Sequence, residues 1–379
     1  MTQIPLATPD FDEREVSAVR RVLESGWVVQ GPEVEAFEND IAQMHDAHHC
    51  IAVSSGTAAL HVSFLAMEIG PGDAVFIPSF AWPSAANMAM MVGARPVFVD
   101  VFPDTFNIDP VDLESRIEQC RIHGWGNPRA IVPVHEFGLA ADMQAVARVA
   151  QRLSLDIIED AACALGATYE GRPIGTMGKL GIFSFHPRKS VTTGEGGAIV
   201  TNDGAIAERC RVWRNHGQLT IGQRRDFPIA GFNYRMTEFQ AAIGRVQLDK
   251  FSGILRRRRD LAQNYLDVLM NCSSLRRPVG DDHTWQTFLV LLEEGHDRDA
   301  IVDRLRRRGI GAGAGSVAAH CLSVYAKKFD YDRDDLPISS RLHDSGLALP
   351  LYASMTTDQI AFVARQLTEL LTNSTAGEK

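Results

Sequence analysis

The sequence predicts an α/β fold: a mostly parallel seven-stranded sheet sandwiched by helices, followed by a smaller C-terminal α+β domain. Three observations carry this reading. Short β-rich apolar runs recur between residues 50 and 201, amphipathic helical patterns fill most of the gaps, and the pattern changes beyond a long helical stretch that starts near residue 240. Continuous apolar strands alternating with helices suit a parallel sheet, because helices cover both of its faces.

In chain order the strands are expected at Cys50–Val53, Ala74–Ile77, Pro96–Asp100, Ala130–Pro133, Asp156–Ile158, Gly181–Phe185 and Ala198–Thr201. Each is a short run bounded by polar or turn-forming residues. The stretches Ala58–Ile69, Ser84–Val92 and Asp142–Leu153 space their apolar residues as helices do. Around Gln240–Asn271, Phe251, Leu255, Ala262, Tyr265 and Leu269 recur three and four residues apart, with Gly253 as a weak point. A strand at Gln286–Leu292, a helix at Asp299–Arg308, a glycine-rich loop and a last helix near Thr357–Leu371 follow. The polar tail Thr372–Lys379 predicts disorder. The division expected is a large domain over 15–250 and a small one over 251–379, with segment 1–14 packing on the latter.

Composition sets limits on function. At 45% hydrophobic and 22% charged residues, the 379-residue chain can bury enough apolar surface to offset its chain entropy, which excludes intrinsic disorder. A net charge of 38 − 47 = −9 argues against nucleic acid or an anionic membrane as main partner. The six cysteines show no CxxC and no paired spacing, so neither a disulfide frame nor a metal site is expected. No basic–apolar leader and no long apolar run is present, so a cytoplasmic protein without a membrane span is expected.

In sheets of this kind ligands sit beyond the carboxyl ends of the strands, so chemistry is sought there. Ser54-Ser55-Gly56-Thr57 lies between a strand and a helix, where free backbone N–H groups and the helix dipole suit a phosphate. An ordinary serine or threonine N-cap would look the same. Asp160 ends an apolar run beside Glu159; it either caps the next turn or pairs with a ligand cation. Lys189 follows the strand ending Ser184-Phe185 and precedes Thr192-Thr193-Gly194-Glu195-Gly196-Gly197, whose glycines let the backbone pass close to something bulky. Most lone lysines are solvated, but few follow an apolar strand and precede a rigid turn. A phosphate nest, a strand-end acid and a strand-end lysine together match pyridoxal 5'-phosphate. The nest would hold the phosphate, the acid would keep the pyridine nitrogen protonated, and the lysine would make the Schiff base.

With these residues in place, the chain resembles the DegT/DnrJ/EryC1/StrS sugar aminotransferases, of PLP-dependent transferase fold type I. The resemblance runs almost end to end: Ser25-Gly26-Trp27 to Gly31-Pro32-Glu33-Val34, Ser55-Gly56-Thr57-Ala58-Ala59-Leu60, Pro78-Ser79-Phe80, Val134-His135-Glu136-Phe137-Gly138, Glu159-Asp160-Ala161-Ala162, Ser184 to Gly197, and Asn233-Tyr234-Arg235-Met236-Thr237-Glu238. It implies that Lys189 is the Schiff-base lysine and Asp160 the partner of the ring nitrogen. It also implies that Gly56, Thr57 and Ser184 bind the phosphate and that Trp82 lies against the cofactor face, although a plain core Trp would also read this way. Asn233 matches a residue lent across a dimer interface, which implies a homodimer with shared active sites. One departure stands out. Cys163 replaces the Gln or His that the family uses to bond the cofactor's phenolic oxygen, and a thiol is a weak donor. Cys120–Arg129 looks like a short insertion without an assigned role.

The resemblance further implies transfer of an amino group from glutamate or glutamine to a keto sugar, foremost a nucleotide-linked 4-keto-6-deoxyhexose. A 3-keto sugar or a keto-cyclitol is the runner-up. His186, His320 and Tyr325 are the candidate acceptor contacts, the last two equally readable as surface residues. Family dehydratases carry His in place of the lysine, so Lys189 favours transamination. A nicotinamide oxidoreductase is disfavoured, because the GxGxxA match at Gly309–Ala314 follows a basic helix end and not a strand. A non-catalytic regulator acting through Arg256–Arg259 is disfavoured too, since arginines on an amphipathic helix usually form a solvated face.

Overall fold

The computed structural model describes residues 3–222, 224–276, 278, 280 and 282–374. Seven strands form the central sheet: β1 (His49–Val53), β2 (Asp73–Pro78), β3 (Arg95–Val99), β4 (Asn127–Ile131), β5 (Asp156–Asp160), β6 (Leu180–Ser184) and β7 (Gly197–Thr201). Their spatial order is β1-β7-β6-β5-β4-β2-β3. Only β7 runs against its neighbours, pairing antiparallel with β1 and β6; the other pairs are parallel. Each expected run lies in one of these strands, within a few residues at the ends.

The sheet is covered on both faces, and that explains its apolar strands. One face packs on the helix Gly56–Ala66, whose residues Ala58–Phe64 are all buried, and on Ser84–Met91 and Gly204–Arg214. On the other face, Leu113 and Ile117 of helix Pro110–His123 and Val146 and Val149 of helix Met143–Leu153 meet Phe76, Val97 and Ile131. Cys120–Arg129 is no looped-out insertion. It is the end of the helix Pro110–His123, a left-handed turn at Gly124 whose N–H returns to the Cys120 carbonyl, and the first residues of β4.

The helix Glu238–Val268 runs unbroken through Gly253, where an added Cβ would meet nothing. Its start is fixed by a Thr237–Gln240 capping box. Its Glu238 carboxylate accepts the N–H groups of Gly31, Glu33 and Val34 at 2.8–2.9 Å. Gly31 has no side chain to cap the helix Pro32–Met44, so a residue two hundred positions away supplies the acceptor.

The far half of the long helix joins a second core. Leu261 and Tyr265 pack there on the strands Phe288–Leu292 and Gly346–Leu349 and on the helices Arg298–Arg307 and Thr357–Ser374. Ile4 enters this core, bonded to Gly309 and Gly311. The last helix continues to Ser374, into the expected tail; residues 375–379 lie outside the described ones.

The arginine run departs from a simple solvated face. Arg256 and Arg259 are exposed, but Arg258 is only 4% exposed. Its guanidinium donates to the Trp285 carbonyl at 2.6 and 2.9 Å and to that of Gln286 at 2.8 Å. Burial draws its pKa down to about 10, so it stays charged at neutral pH. Arg257 holds the Met355 carbonyl. These cations close otherwise orphaned carbonyls of the second core.

Candidate active site

A cavity of about 610 Å³ opens where β1, β5 and β6 end. Ser55, Gly56 and Thr57 line it, with Trp82, Glu136, Asp160, Cys163, Ser184, His186, Arg188 and Lys189. Leu6 and Ala7 from the N-terminal segment, Gln286, and Gly313–Val317 complete it from the side of the second core.

At the β1 end both readings of the serine turn hold at once. Ser55 is the N-cap of helix Gly56–Ala66, and its hydroxyl accepts from the Ala58 amide at 3.1 Å. The first-turn amides of Gly56 and Thr57 keep no intrahelical acceptor and sit in the cavity wall. Two glycines make this cradle tight. A Cβ on Gly56 would lie 2.9 Å from the Ser184 Cβ, and one on Gly197 would lie 2.4 Å from the Ser55 carbonyl oxygen. The lysine loop and the serine turn therefore touch through backbone. A dipole-oriented turn with a serine hydroxyl beside it fits a phosphate.

The two acids at the end of β5 point to different places. Glu159 is fully buried away from the cavity. It accepts from the amides of Gly175, Met177 and Gly178 at 2.7–2.8 Å and contacts His135 Nε2 at 3.1 Å. The Ala141 amide donates to His135 Nδ1, so Nε2 carries the proton given to Glu159. Burial pushes the Glu159 carboxyl up, but the His135 bond and these amides outweigh it and hold it below the usual range.

Asp160 faces the cavity with one carboxylate oxygen accepting the Ala162 amide at 3.0 Å. Burial raises its pKa, only partly offset by that amide, Lys189 and His135. Such a carboxylate ionises readily only opposite a cation, and a protonated pyridine nitrogen is one.

Lys189 is held by its loop. Its amide donates to the His186 carbonyl, while Thr192 and Thr193 both return to the Phe185 carbonyl. Gln286 donates to the Arg188 carbonyl at 3.0 Å and so ties the loop to the second core. Lys189 Nζ lies 3.0 Å from Cys163 Sγ. Burial raises the Cys163 pKa, so the thiol stays neutral at neutral pH.

Trp82 is 62% exposed at the cavity edge, so it is not a core residue. His186 lines the cavity, its Nδ1 accepting the Arg188 amide. Burial lowers its pKa and keeps it neutral. Asn233 lies outside the cavity and is exposed. His320 and Tyr325 also lie outside, and here the expected acceptor contacts are corrected. His320 is fully buried, bonded to Ser79 Oγ at 2.6 Å, and Tyr325 bonds Asn87 Oδ1 at 2.5 Å. Both fasten their segment to the large core. The cavity wall from that segment is the preceding Gly313–Val317. Sequence reasoning missed Glu136, Gln286 and Ser316 as wall residues; only Glu136 carried a signal, an acid inside the matching stretch Val134–Gly138.

Among the described residues no group of three or more His, Cys, Asp or Glu could hold a metal ion, and no helix is long and apolar enough to cross a membrane.

Known structures share this fold. The chain is 25% identical to Spr1654 of Streptococcus pneumoniae, assigned as a sugar aminotransferase and solved in a PMP form, with 100% of each chain covered and a TM-score of 0.93. It is 33% identical to DesV of S. venezuelae, covering 98% of this chain and 99% of that one at a TM-score of 0.88. It is 30% identical to the aminotransferase TlmJ of Streptoalloteichus hindustanus, covering 98% and 100% at 0.90. Residues 9–368 match the model of one family. The chain belongs to the DegT/DnrJ/EryC1/StrS aminotransferase family.

Proposed function

We propose that the chain is a pyridoxal-phosphate-dependent transaminase that moves an amino group from glutamate or glutamine to a keto sugar, foremost a nucleotide-linked 4-keto-6-deoxyhexose. The observation that carries the reading is the convergence, in one cavity, of Lys189, Asp160 and the Ser55–Thr57 turn. Bound pyridoxal phosphate supplies an aldehyde carbon that carries the amino group and a ring that accepts electrons. The residues around it have separate tasks. The Gly56 and Thr57 amides and the Ser184 hydroxyl hold the phosphate. Asp160 keeps the ring nitrogen protonated, and Trp82 covers one ring face. The Lys189 amine would hold the aldehyde carbon and, as a free amine, would be the group placed to move a proton at the substrate carbon.

A keto sugar is the acceptor class supported by the family and by the assignment of Spr1654 as a sugar aminotransferase. The exposed Arg188 at the cavity wall is a fitting contact for an anionic substrate group, such as the donor's carboxylate or a nucleotide diphosphate. A homodimer is part of the reading. Asn233 is exposed and outside its own chain's cavity, and Trp27, Val28 and Val29 expose a run of apolar surface.

The test is to load the protein with pyridoxamine phosphate and offer nucleotide-linked 4-keto and 3-keto sugars and keto-cyclitols. Return of the aldehyde form's absorbance with a 4-keto sugar alone supports the proposal. Return with a keto-cyclitol or 3-keto sugar alone moves the acceptor assignment, and no return with any of them overturns the keto-sugar reading.

A further inference from the structure

Glu136 is an acid in a place where an acid is costly. Its residue is 4% exposed, lines the cavity, and faces both Asp160 and Lys189. Its main chain is fixed. Its amide donates to Asn107 Oδ1 at 2.9 Å, its carbonyl accepts from the Leu139 amide, and Asn107 Nδ2 also donates to the carbonyls of Leu139 and Ala140. The turn that aims it contains Phe137 at φ +54°, a left-handed conformation costly for a bulky residue. Ring contacts of Phe137 with Phe80 and Phe106, at 6.1 and 5.6 Å between centroids, hold that residue in place. Strain maintained by a rigid surround is a mark of a working site.

From the second core the Ser316 hydroxyl, buried in the cavity lining, faces the Glu136 carboxyl. Burial first, and then the Asp160 carboxylate, push the Glu136 pKa up, against the pull of Lys189 and Ser316, to about 8. At neutral pH Glu136 is therefore a carboxylic acid, a hydrogen-bond donor in the wall beside Asp160 and Lys189.

Pyridoxal phosphate carries four polar features: a ring nitrogen, an aldehyde carbon opposite it, a phosphate arm on one edge, and a phenolic oxygen on the other. Asp160, Lys189 and the Ser55–Thr57 turn with Ser184 answer the first three. The fourth falls to the wall between Asp160 and Lys189, which holds Cys163 and Glu136. Cys163 is already at Lys189 and is a weak donor.

Resting on the pyridoxal phosphate reading above, we propose that the Glu136 carboxyl group donates the hydrogen bond to the cofactor's phenolic oxygen, the contact that Cys163 does not make. Such a bond stabilises the phenolate most when the neighbouring Schiff-base nitrogen has lost its proton. Removing it therefore raises the pKa of that nitrogen. A bond between a neutral donor and a charged oxygen makes this shift about one pH unit, or about tenfold.

The test is a spectroscopic pH titration of the pyridoxal phosphate complex, with no substrate present. Glu136→Leu, which fills the same space without a donor, should move the midpoint up by about one unit. Glu136→Gln, which keeps a donor, should stay near wild type, and so should Cys163→Ala. A Glu136→Leu complex that titrates like wild type overturns the proposal, as does a Cys163→Ala shift in its place. An unchanged midpoint combined with a raised KM for the acceptor overturns it too and assigns Glu136 to the sugar. A wild-type chain that gains no absorbance with pyridoxal phosphate overturns the cofactor reading itself, a result distinct from all of these.

Discussion

Replacing Asp160 by asparagine removes one charge and little else. The Ala162 amide that Asp160 accepts at 3.0 Å can bond equally well to an asparagine oxygen, so the turn after β5 should keep its shape. What is lost is the attraction between a buried carboxylate, 7% exposed, and the cationic ring nitrogen it would face. With charges about 4 Å apart and an effective dielectric of about 20, that attraction is about 4 kcal/mol. At 1.36 kcal/mol per decade, the loss corresponds to about a thousandfold in the step that needs the electron-accepting ring. The assay is a single-turnover conversion of bound pyridoxal phosphate to pyridoxamine phosphate by glutamate, followed by absorbance. A loss smaller than about tenfold, with the cofactor bound normally, would refute the role given to Asp160. The neighbouring Glu159→Gln is the control. It faces away from the cavity into three amides and His135, so it should lower unfolding free energy by about 1.5–3 kcal/mol and spare the half-reaction.

Two further outcomes follow from the same geometry. Gly56→Ala puts a Cβ 2.9 Å from Ser184 Cβ, and the turn must shift; cofactor affinity by fluorescence titration should fall about tenfold or more, and an unchanged affinity would place the phosphate elsewhere. Arg258→Met orphans the carbonyls of Trp285 and Gln286; chemical denaturation should show a loss of about 2–4 kcal/mol, and a neutral result would mean that those carbonyls find other donors.

The elements that place the site were readable because their signals are local. Apolar runs ending in Asp160 or Ser184, and a lysine followed by Gly194, Gly196 and Gly197, each carry their meaning within a dozen residues. The wall from the second core was not readable in the same way. Ser316 and Gln286 reach the cavity only because the Glu238–Val268 helix and the buried Arg258 set that core against the sheet. Nothing near residue 286 or 316 in sequence records that distance. His320 and Tyr325 show the converse error. Their residue types suit a ligand, but Ser79 and Asn87, more than two hundred positions earlier, already hold them. The acids of β5 show how orientation decides role. Adjacent in a strand, Glu159 and Asp160 must face opposite ways, so one binds the fold together and the other faces the cavity.

The central claim is that this chain transaminates through a lysine bound to pyridoxal phosphate. Lys189→Ala tests it most directly, in the same glutamate half-reaction and on protein loaded with the cofactor. The account predicts loss of the Schiff-base absorbance and a rate lower by about 10²–10⁴, the usual contribution of a positioned proton-transfer group. A Lys189→Ala protein that carries out the half-reaction at the wild-type rate would contradict it.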